Sequence, residues 1–249
     1  MAITFLCKNF INDAVRITEN CVSTGFGTFY LHDDDLNSVF RGTNTLHGTT
    51  WVRFDFGSAV YLDSVACITN LSSFGTLVIR AGNTTAVMNQ AFGIPLDGYG
   101  TSHKFFGNNG YQYWRLDLTG ATGIGKHQIN ELFLGKRISI TEMPTYPLEN
   151  GIEEDTTELV SERGQKWIYH NYSREYWVLN FESINSDNEN KLYNMYRSVR
   201  KDTQPFWMAL DPENNPNDIK FVRLRDSSFL SEEITKNTFD VSLEIEKEI

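Results

Sequence analysis

The 249-residue sequence lacks the long apolar run of about 18 residues that a membrane-spanning helix requires. It contains only three cysteines, Cys7, Cys21 and Cys67, at no close spacing. Three reduced thiols, or one bridge and one thiol, both fit this count. The formal net charge of −10 leaves no excess of cations to neutralise phosphates. We therefore expect neither membrane insertion nor nucleic-acid binding.

Catalytic motifs are also missing. The chain has no phosphate-binding Walker loop, no Gly-x-Ser-x-Gly elbow, no Cys-x-x-Cys pair and no His-Glu-x-x-His zinc motif. Its five histidines show no metal-ligand spacing. These absences predict a protein without catalytic activity. A glycoside hydrolase domain stays an alternative, because the separation of its two carboxylates in space cannot be taken from a sequence.

The first 138 residues carry the alternation of apolar and polar side chains that is typical of strands. In residues 50–57, Val52, Phe54 and Phe56 alternate with polar or amphipathic residues, and Gly57 ends the run. Residues 61–70, 76–80, 111–118 and 129–135 continue the pattern. Because Gly, Asn and Ser dominate the connections, this half predicts an antiparallel β-sandwich or barrel.

The second half differs in charge and contains a predicted helix. Residues 1–138 hold 10 Lys/Arg and 10 Asp/Glu, whereas residues 139–249 hold 12 and 22. Pro144 and Pro147 lie near this change, so we expect a semi-rigid linker at 139–150. The sequence thus predicts two domains, at residues 1–138 and 151–249.

Within the second domain the pattern predicts the order β-β-α-β-β-β. Strands at 165–170 and 175–181 flank a predicted hairpin connection at 171–174. A capping box that begins at Ser186 opens the helix. Its apolar stripe, at spacing i, i+3, i+4 and i+7, consists of Leu192, Met195, Tyr196 and Val199. Such a helix is expected to cover one face or end of a small curved sheet.

An aromatic cluster between residues 99 and 113 is the candidate ligand site. Its members are Tyr99, Phe105, Phe106, Tyr111 and Tyr113. An aromatic ring packs against the C–H face of a sugar, and neighbouring Asn side chains bond to its hydroxyls. These residues therefore predict carbohydrate binding. The alternative is that the rings are ordinary core and rim residues.

A run of three carboxylates, Asp33, Asp34 and Asp35, is the candidate metal site. Calcium is the ion that clustered carboxylates and loop carbonyls suit, because it takes six to eight oxygen ligands. The alternative is an exposed acidic turn. No other cofactor is expected.

The first half resembles a known family of jelly rolls. The segments that carry the likeness are Asp34–Gly42, Thr50–Gly57, Tyr113–Leu118 and Ile129–Gly135. They resemble the galactose-binding-like group, also called the discoidin or coagulation factor type C group. The resemblance implies a β-sandwich jelly roll. The chain lacks the terminal cysteines that many extracellular members link, and no ligand residue of the family maps onto it.

The second half is similar to distal tail and minor tail proteins of tailed bacteriophages. The likeness rests on 164–168, 174–181, the helix with Leu192, Phe206-Trp207, 222–225 and 237–246. This resemblance implies a split β-barrel with one α-helix that forms a homo-oligomeric ring at the end of the tail tube. The expected fold class is therefore mainly β, a jelly roll followed by a split barrel.

Together these patterns predict a structural component of a phage tail tip or baseplate. Its expected partners are further copies of itself and the tube, hub and tape-measure proteins of the tail. Since the first residues show no secretory signal and the cysteines are few, we expect assembly in the bacterial cytoplasm and residence in the virion tail. The alternative function is a carbohydrate-binding module that recognises a host-surface glycan.

Overall fold

The computed structural model describes residues 2–20, 25–42, 50–70, 76–94, 99–119, 128–199, 204–212, 215, 218–226 and 228–248. The chain divides into two compact units. The N-terminal unit consists of Thr4–Ile138 and Ala209–Ile219, and the C-terminal unit of Met1–Ile3, Ser139–Met208 and Lys220–Ile249. Over the described ranges, no helix has both the length and the apolar character needed to span a membrane.

Strands make up most of the described N-terminal unit. They are β1 (Ile3–Asn9), β2 (Arg16–Glu19), β3 (Phe40–Arg41), β4 (Thr50–Asn70), β5 (Thr76–Gly82), β6 (Gln90–Ile94), β7 (Tyr99–Thr119) and β8 (Gln128–Ile140). Short 3₁₀ helices lie at Phe10–Asp13 and Thr28–Leu31. Hydrogen bonding gives the order β6-β5-β7-β4-β8-β1, with β2 also paired to β4 and β3 to β8.

The long antiparallel pair β4 and β7 bends the sheet around one core. The register between them shifts from Asp55 to Val60, where Gly57 has a φ of +72°, and again from Leu62 to Ser64. Such bulges bend a strand pair. The first half of β4 pairs with β2, and its second half pairs with β8. Side chains from both halves of β4 lie in the same buried cluster, including Val52, Phe54, Val65 and Cys67, together with Leu132 of β8.

The described C-terminal unit combines seven elements. They are β9 (Glu149–Val160), β10 (Lys166–Asn185), α1 (Ser186–Ser198), β11 (Phe206–Ala209), β12 (Ile219–Leu224), β13 (Leu230–Thr235) and β14 (Thr238–Lys247). The strand order is β11-β12-β14-β10-β9, and β13 also pairs with β14. The mainly β fold class is confirmed. The closure of this sheet into a split barrel stays a prediction.

Helix α1 packs against β10 and β14 along its predicted stripe. Leu192, Met195, Tyr196 and Val199 are all buried, which confirms the stripe. The predicted cap is wrong by one residue. The side chain of Asn185, not Ser186, accepts a hydrogen bond of 2.9 Å from the backbone N–H of Asn188.

The predicted hairpin connection at 171–174 is wrong. Strand β10 runs through these residues and accommodates them as a register shift between His170 and Tyr172. The turn lies earlier, where Ser161 N–H donates to the Gln165 carbonyl at 2.8 Å and Gly164 has a φ of +79°. In the described C-terminal unit, β9 and β13 were not predicted, and in the described N-terminal unit β1, β2, β3 and β6 were not. Between β8 and β9, residues 141–148 form neither helix nor strand.

Candidate functional site

Two of the five predicted aromatic residues do not face a shared ligand surface. Phe106 is buried, and its ring stacks on Phe92 at 4.2 Å and on Trp114 at 5.8 Å between centroids. Phe105 is half-buried, and its ring centroid lies 4.8 Å from that of His103. The structure therefore places Phe106 in the core and Phe105 beside a buried imidazole. Tyr99 begins β7, but its side chain lies outside the described residues.

Tyr111 lines a surface cleft of about 320 Å³ where β5 ends beside the middle of β7. The other lining residues are Ala81, Gly82, Asn83, Thr84, Val87, Asn89 and Gln90. Asn83, Thr84, Asn89 and Gln90 are exposed, so their amide and hydroxyl groups are available to a ligand. We call this site the Tyr111 cleft.

Contacts with the core fix the position of the Tyr111 ring. The Tyr111 and Trp114 rings meet edge to face, with centroids 5.9 Å apart and planes at 71°. Trp114 is fully buried and donates a hydrogen bond of 3.1 Å from Nε1 to the Tyr111 carbonyl. Because these contacts hold the ring at the edge of the core, little conformational entropy would be lost if a ligand stacked on it.

The loop between β5 and β6 forms the wall of the cleft and packs directly on strand backbone. A Cβ at Gly82 would collide with the Val87 carbonyl oxygen, so only glycine allows this approach. Thr84 Oγ1 accepts a hydrogen bond of 3.1 Å from the Val87 N–H. Met88 turns inward and is 9% exposed. The loop is therefore tied down at its centre, and its polar side chains are left on the surface.

Tyr113 on β7 lies directly opposite Gly82 of β5, a residue that lines the cleft. Its hydroxyl accepts a hydrogen bond of 3.0 Å from Gln112 Nε2. The same amide nitrogen donates to Asp55 Oδ1 at 3.0 Å, and this bond is the first cause of the lowered pKa of Asp55. The structure thus places two of the predicted tyrosines beside the end of β5.

The chemistry of the Tyr111 cleft suits hydroxyl groups rather than ions. An aromatic face offers a stacking surface, and amides supply both donors and acceptors. None of the lining residues is charged. The tyrosine was predicted from the sequence, but Asn83, Thr84, Asn89 and Gln90 were missed because they are ordinary loop residues until the fold places them beside a ring.

Two of the three predicted metal-binding aspartates, Asp33 and Asp35, are engaged with their own loop. Ser38 Oγ donates to Asp33 Oδ1 and Oδ2 at 2.9 and 2.7 Å, and Asp35 Oδ1 accepts from Asn37 N–H at 2.9 Å. Asp34 has a φ of +60°. Among the described residues, no three or more His, Cys, Asp or Glu side chains are arranged to hold a metal ion. The calcium site stays a prediction.

Glu131 on β8 is a buried carboxyl beside these aspartates that sequence reasoning missed. It is 1% exposed. Burial raises its pKa to about 9, and the charges of Asp34 and Asp33 add to the shift. Glu131 is therefore protonated in the native protein at neutral pH.

No protein-family model matches the chain, and no curated protein matches it. Solved structures with a similar fold cover about half of it. One is chitosan-binding module 1 of a chitosanase/glucanase from Paenibacillus sp. IK-5, with 14% identity and a TM-score of 0.43 over 51% of this chain and 98% of that one.

Two further similar structures are the CBM32 of AlyQ in complex with 4,5-unsaturated mannuronic acid and the lectin domain of lectinolysin complexed with Lewis B antigen. The first is 18% identical, with a TM-score of 0.40 over 49% of this chain and 94% of that one. The second is 14% identical, with a TM-score of 0.42 over 52% and 96%. At these identities and TM-scores, the similarities do not establish what this chain binds.

Proposed function

We propose that the N-terminal unit binds a glycan in the Tyr111 cleft. The observation that carries the proposal is the Tyr111 ring, held against Trp114 beside four exposed amide and hydroxyl side chains. One sugar ring would stack on Tyr111, and its hydroxyls would bond to residues such as Asn83 and Gln90. The chain would act by binding, without turnover of the glycan.

A glycan array probed with the full chain tests this proposal, followed by titration of the best hit. Tyr111→Ala removes the stacking surface, so we expect about a tenfold loss of affinity. Tyr111→Phe keeps the ring and is expected to bind like the parent. Tyr146→Ala, at a tyrosine that is 67% exposed in the C-terminal unit, is the matched control.

Because Tyr111 also contacts the core, the melting temperature of each variant is measured. If Tyr111→Ala does not fold, Asn83→Ala and Gln90→Ala provide the test, since both side chains are exposed. An array without any hit, or equal affinity of these variants and the parent, would reject the cleft as a glycan site.

A second candidate function, a structural subunit of a phage tail tip, is favoured by a different feature. We call Asp155–Val160 and Lys166–Tyr172 the β9–β10 arm. Along this arm, all six large apolar side chains are exposed: Leu159, Val160, Trp167, Ile168, Tyr169 and Tyr172, at 40–63%. Exposed apolar groups of this density mark interaction surfaces.

Apolar side chains lie on both faces of the arm, among polar and charged ones. Trp167 pairs with Leu159 on one face, and Ile168 lies on the other because successive side chains alternate. A two-stranded hairpin of this kind is marginally stable alone in water. We propose that the arms of neighbouring copies cover each other in a closed ring, in which tail-tube, hub and tape-measure proteins would be further partners within the virion.

Mass photometry and negative-stain microscopy of the full chain test this second proposal. Ile168→Glu places a charge in the arm. We therefore expect this variant to form smaller species than the rings expected of the parent. Val15→Glu is the control, because Val15 is 69% exposed and lies outside the arm. A parent that stays monomeric at high concentration, or an Ile168→Glu variant that still forms rings, would contradict ring assembly through the arm.

A further inference from the structure

The face of the N-terminal sheet that points away from the core carries three arginines in one row. Arg53 of β4 lies opposite Arg115 of β7, which lies opposite Arg80 of β5. Their chain neighbours Phe54 and Leu116 are fully buried, and alternation places the arginines on the opposite face. We call Arg53, Arg80 and Arg115 the arginine row.

The positive charge of the arginine row is only partly neutralised. Asp117, whose side chain is 4% exposed, accepts from Arg80 Nε at 2.6 Å and from Arg115 Nη2 at 2.9 Å. Both of these ion pairs involve Asp117, and Arg53 interacts through its charge with Asp55, whose pKa it helps to lower. Like charges directly opposite on a sheet destabilise it. The fold therefore carries a local cost and a local excess of positive charge in a chain of net charge −10.

A flat aromatic surface lies beside this charge. The half-buried Trp51 ring is flanked by the guanidinium groups of Arg53 at 5.6 Å and Arg115 at 5.8 Å. Gly82, which lines the Tyr111 cleft, lies two residues after Arg80 on β5. Two residues of a strand span about 7 Å. The arginine row thus begins roughly one sugar residue away from the cleft.

We infer that the arginine row binds the carboxylates of an acidic glycan whose neighbouring sugar occupies the Tyr111 cleft. This inference rests on the proposed function of that cleft. A guanidinium fork binds a carboxylate with two parallel hydrogen bonds, and the Trp51 ring holds the forks of Arg53 and Arg115 by cation–π contact. Three arginines are too few for the six to ten phosphate contacts, roughly, of a typical nucleic-acid complex. The ligand class is therefore a uronic-acid saccharide.

Calorimetric titration of the full chain with oligogalacturonate and with its carboxyl-reduced, neutral analogue tests the inference. The parent is expected to prefer the acidic form and to lose this preference at high salt. Arg53→Gln leaves the Asp117 ion pairs intact, so the variant should fold. We expect it to bind oligogalacturonate about tenfold more weakly and the neutral analogue as the parent does. Arg163→Gln, an exposed arginine in the β9–β10 turn, is the charge-matched control.

Several outcomes would overturn the arginine row as a carboxylate site. One is a parent that binds both oligosaccharides equally, or neither. Another is an Arg53→Gln variant with unchanged affinity for the acidic form. A third is stronger binding of single-stranded DNA, or of an acidic peptide with the sequence of 149–160, than of oligogalacturonate. If, in any of these cases, array glycans still bind in a Tyr111-dependent manner, the arginine row is rejected as a carboxylate site, while the proposed glycan binding in the Tyr111 cleft stands.

Discussion

His103 and Glu131 are buried ionisable residues whose pKa values shift in opposite directions. Burial is the main cause in both: it lowers the pKa of His103 to about 4, with a smaller contribution from the charge of Lys104, and raises that of Glu131 to about 9. Between pH 6.5 and 4 the unfolded His103 binds a proton that the native one does not. The contribution of His103 to the free energy of unfolding is therefore complete above pH 6.5. It is lost as the pH falls from 6.5 through 4.

Glu131 acts in the opposite sense. In the native protein Glu131 holds a proton that it releases above pH 4.5 in the unfolded protein. Its contribution to the free energy of unfolding is therefore complete below pH 4.5 and is lost as the pH rises toward 9. From pH 6.5 to 4.5 the two residues oppose each other. The pH dependence of the parent alone cannot separate them, and a variant at one position is needed.

We expect His103→Gln to lose less stability on acidification than the parent does. Removing the titrating imidazole should shift the difference in unfolding free energy between pH 6.5 and 5 by about 2 kcal/mol in favour of the variant. Urea unfolding of both proteins at the two pH values measures this shift. Equal pH dependence in the two proteins would show that His103 titrates normally.

At the scale of the element, helix α1 depends on its apolar stripe rather than on its cap. Leu192 is fully buried where the helix contacts the sheet. Leu192→Asp places an unpaired charge there and should destabilise the C-terminal unit by about 3–5 kcal/mol. Asn190→Asp adds the same charge at an exposed position of the same helix and is expected to cost little. Thermal melts followed by circular dichroism compare the two, and similar melting temperatures would contradict the stripe.

The elements with an apolar face were predictable, and their irregular points were not. Gly57 and the segment 171–174 both carry signals of chain reversal. In the structure each is a bulge within a longer strand. A turn and a bulge both require residues that leave the ladder, so the local sequence does not distinguish them. The partners across the sheet decide between them.

At the scale of the whole molecule, three features were not visible in the sequence pattern, and two of them depend on contacts between segments distant in sequence. Residues 209–219 belong to the N-terminal unit, where Thr101 Oγ1 donates to the Ile219 carbonyl at 3.0 Å. Strand β9 lies partly in the predicted linker and is acidic and exposed, so it lacks the apolar alternation that would have revealed it. The arginine row was equally hidden, since Arg53, Arg80 and Arg115 come together only through strand register.

The close approach of the Val87 carbonyl to Gly82 has a consequence for engineering. The centre of the loop between β5 and β6 is fixed by this approach and by the Thr84 bond to the Val87 N–H, whereas the side chains of Asn83, Asn89 and Gln90 are exposed. Under the proposed glycan function, a combinatorial library at those three positions, with Gly82 and Thr84 retained, would explore new saccharide preferences on an unaltered scaffold.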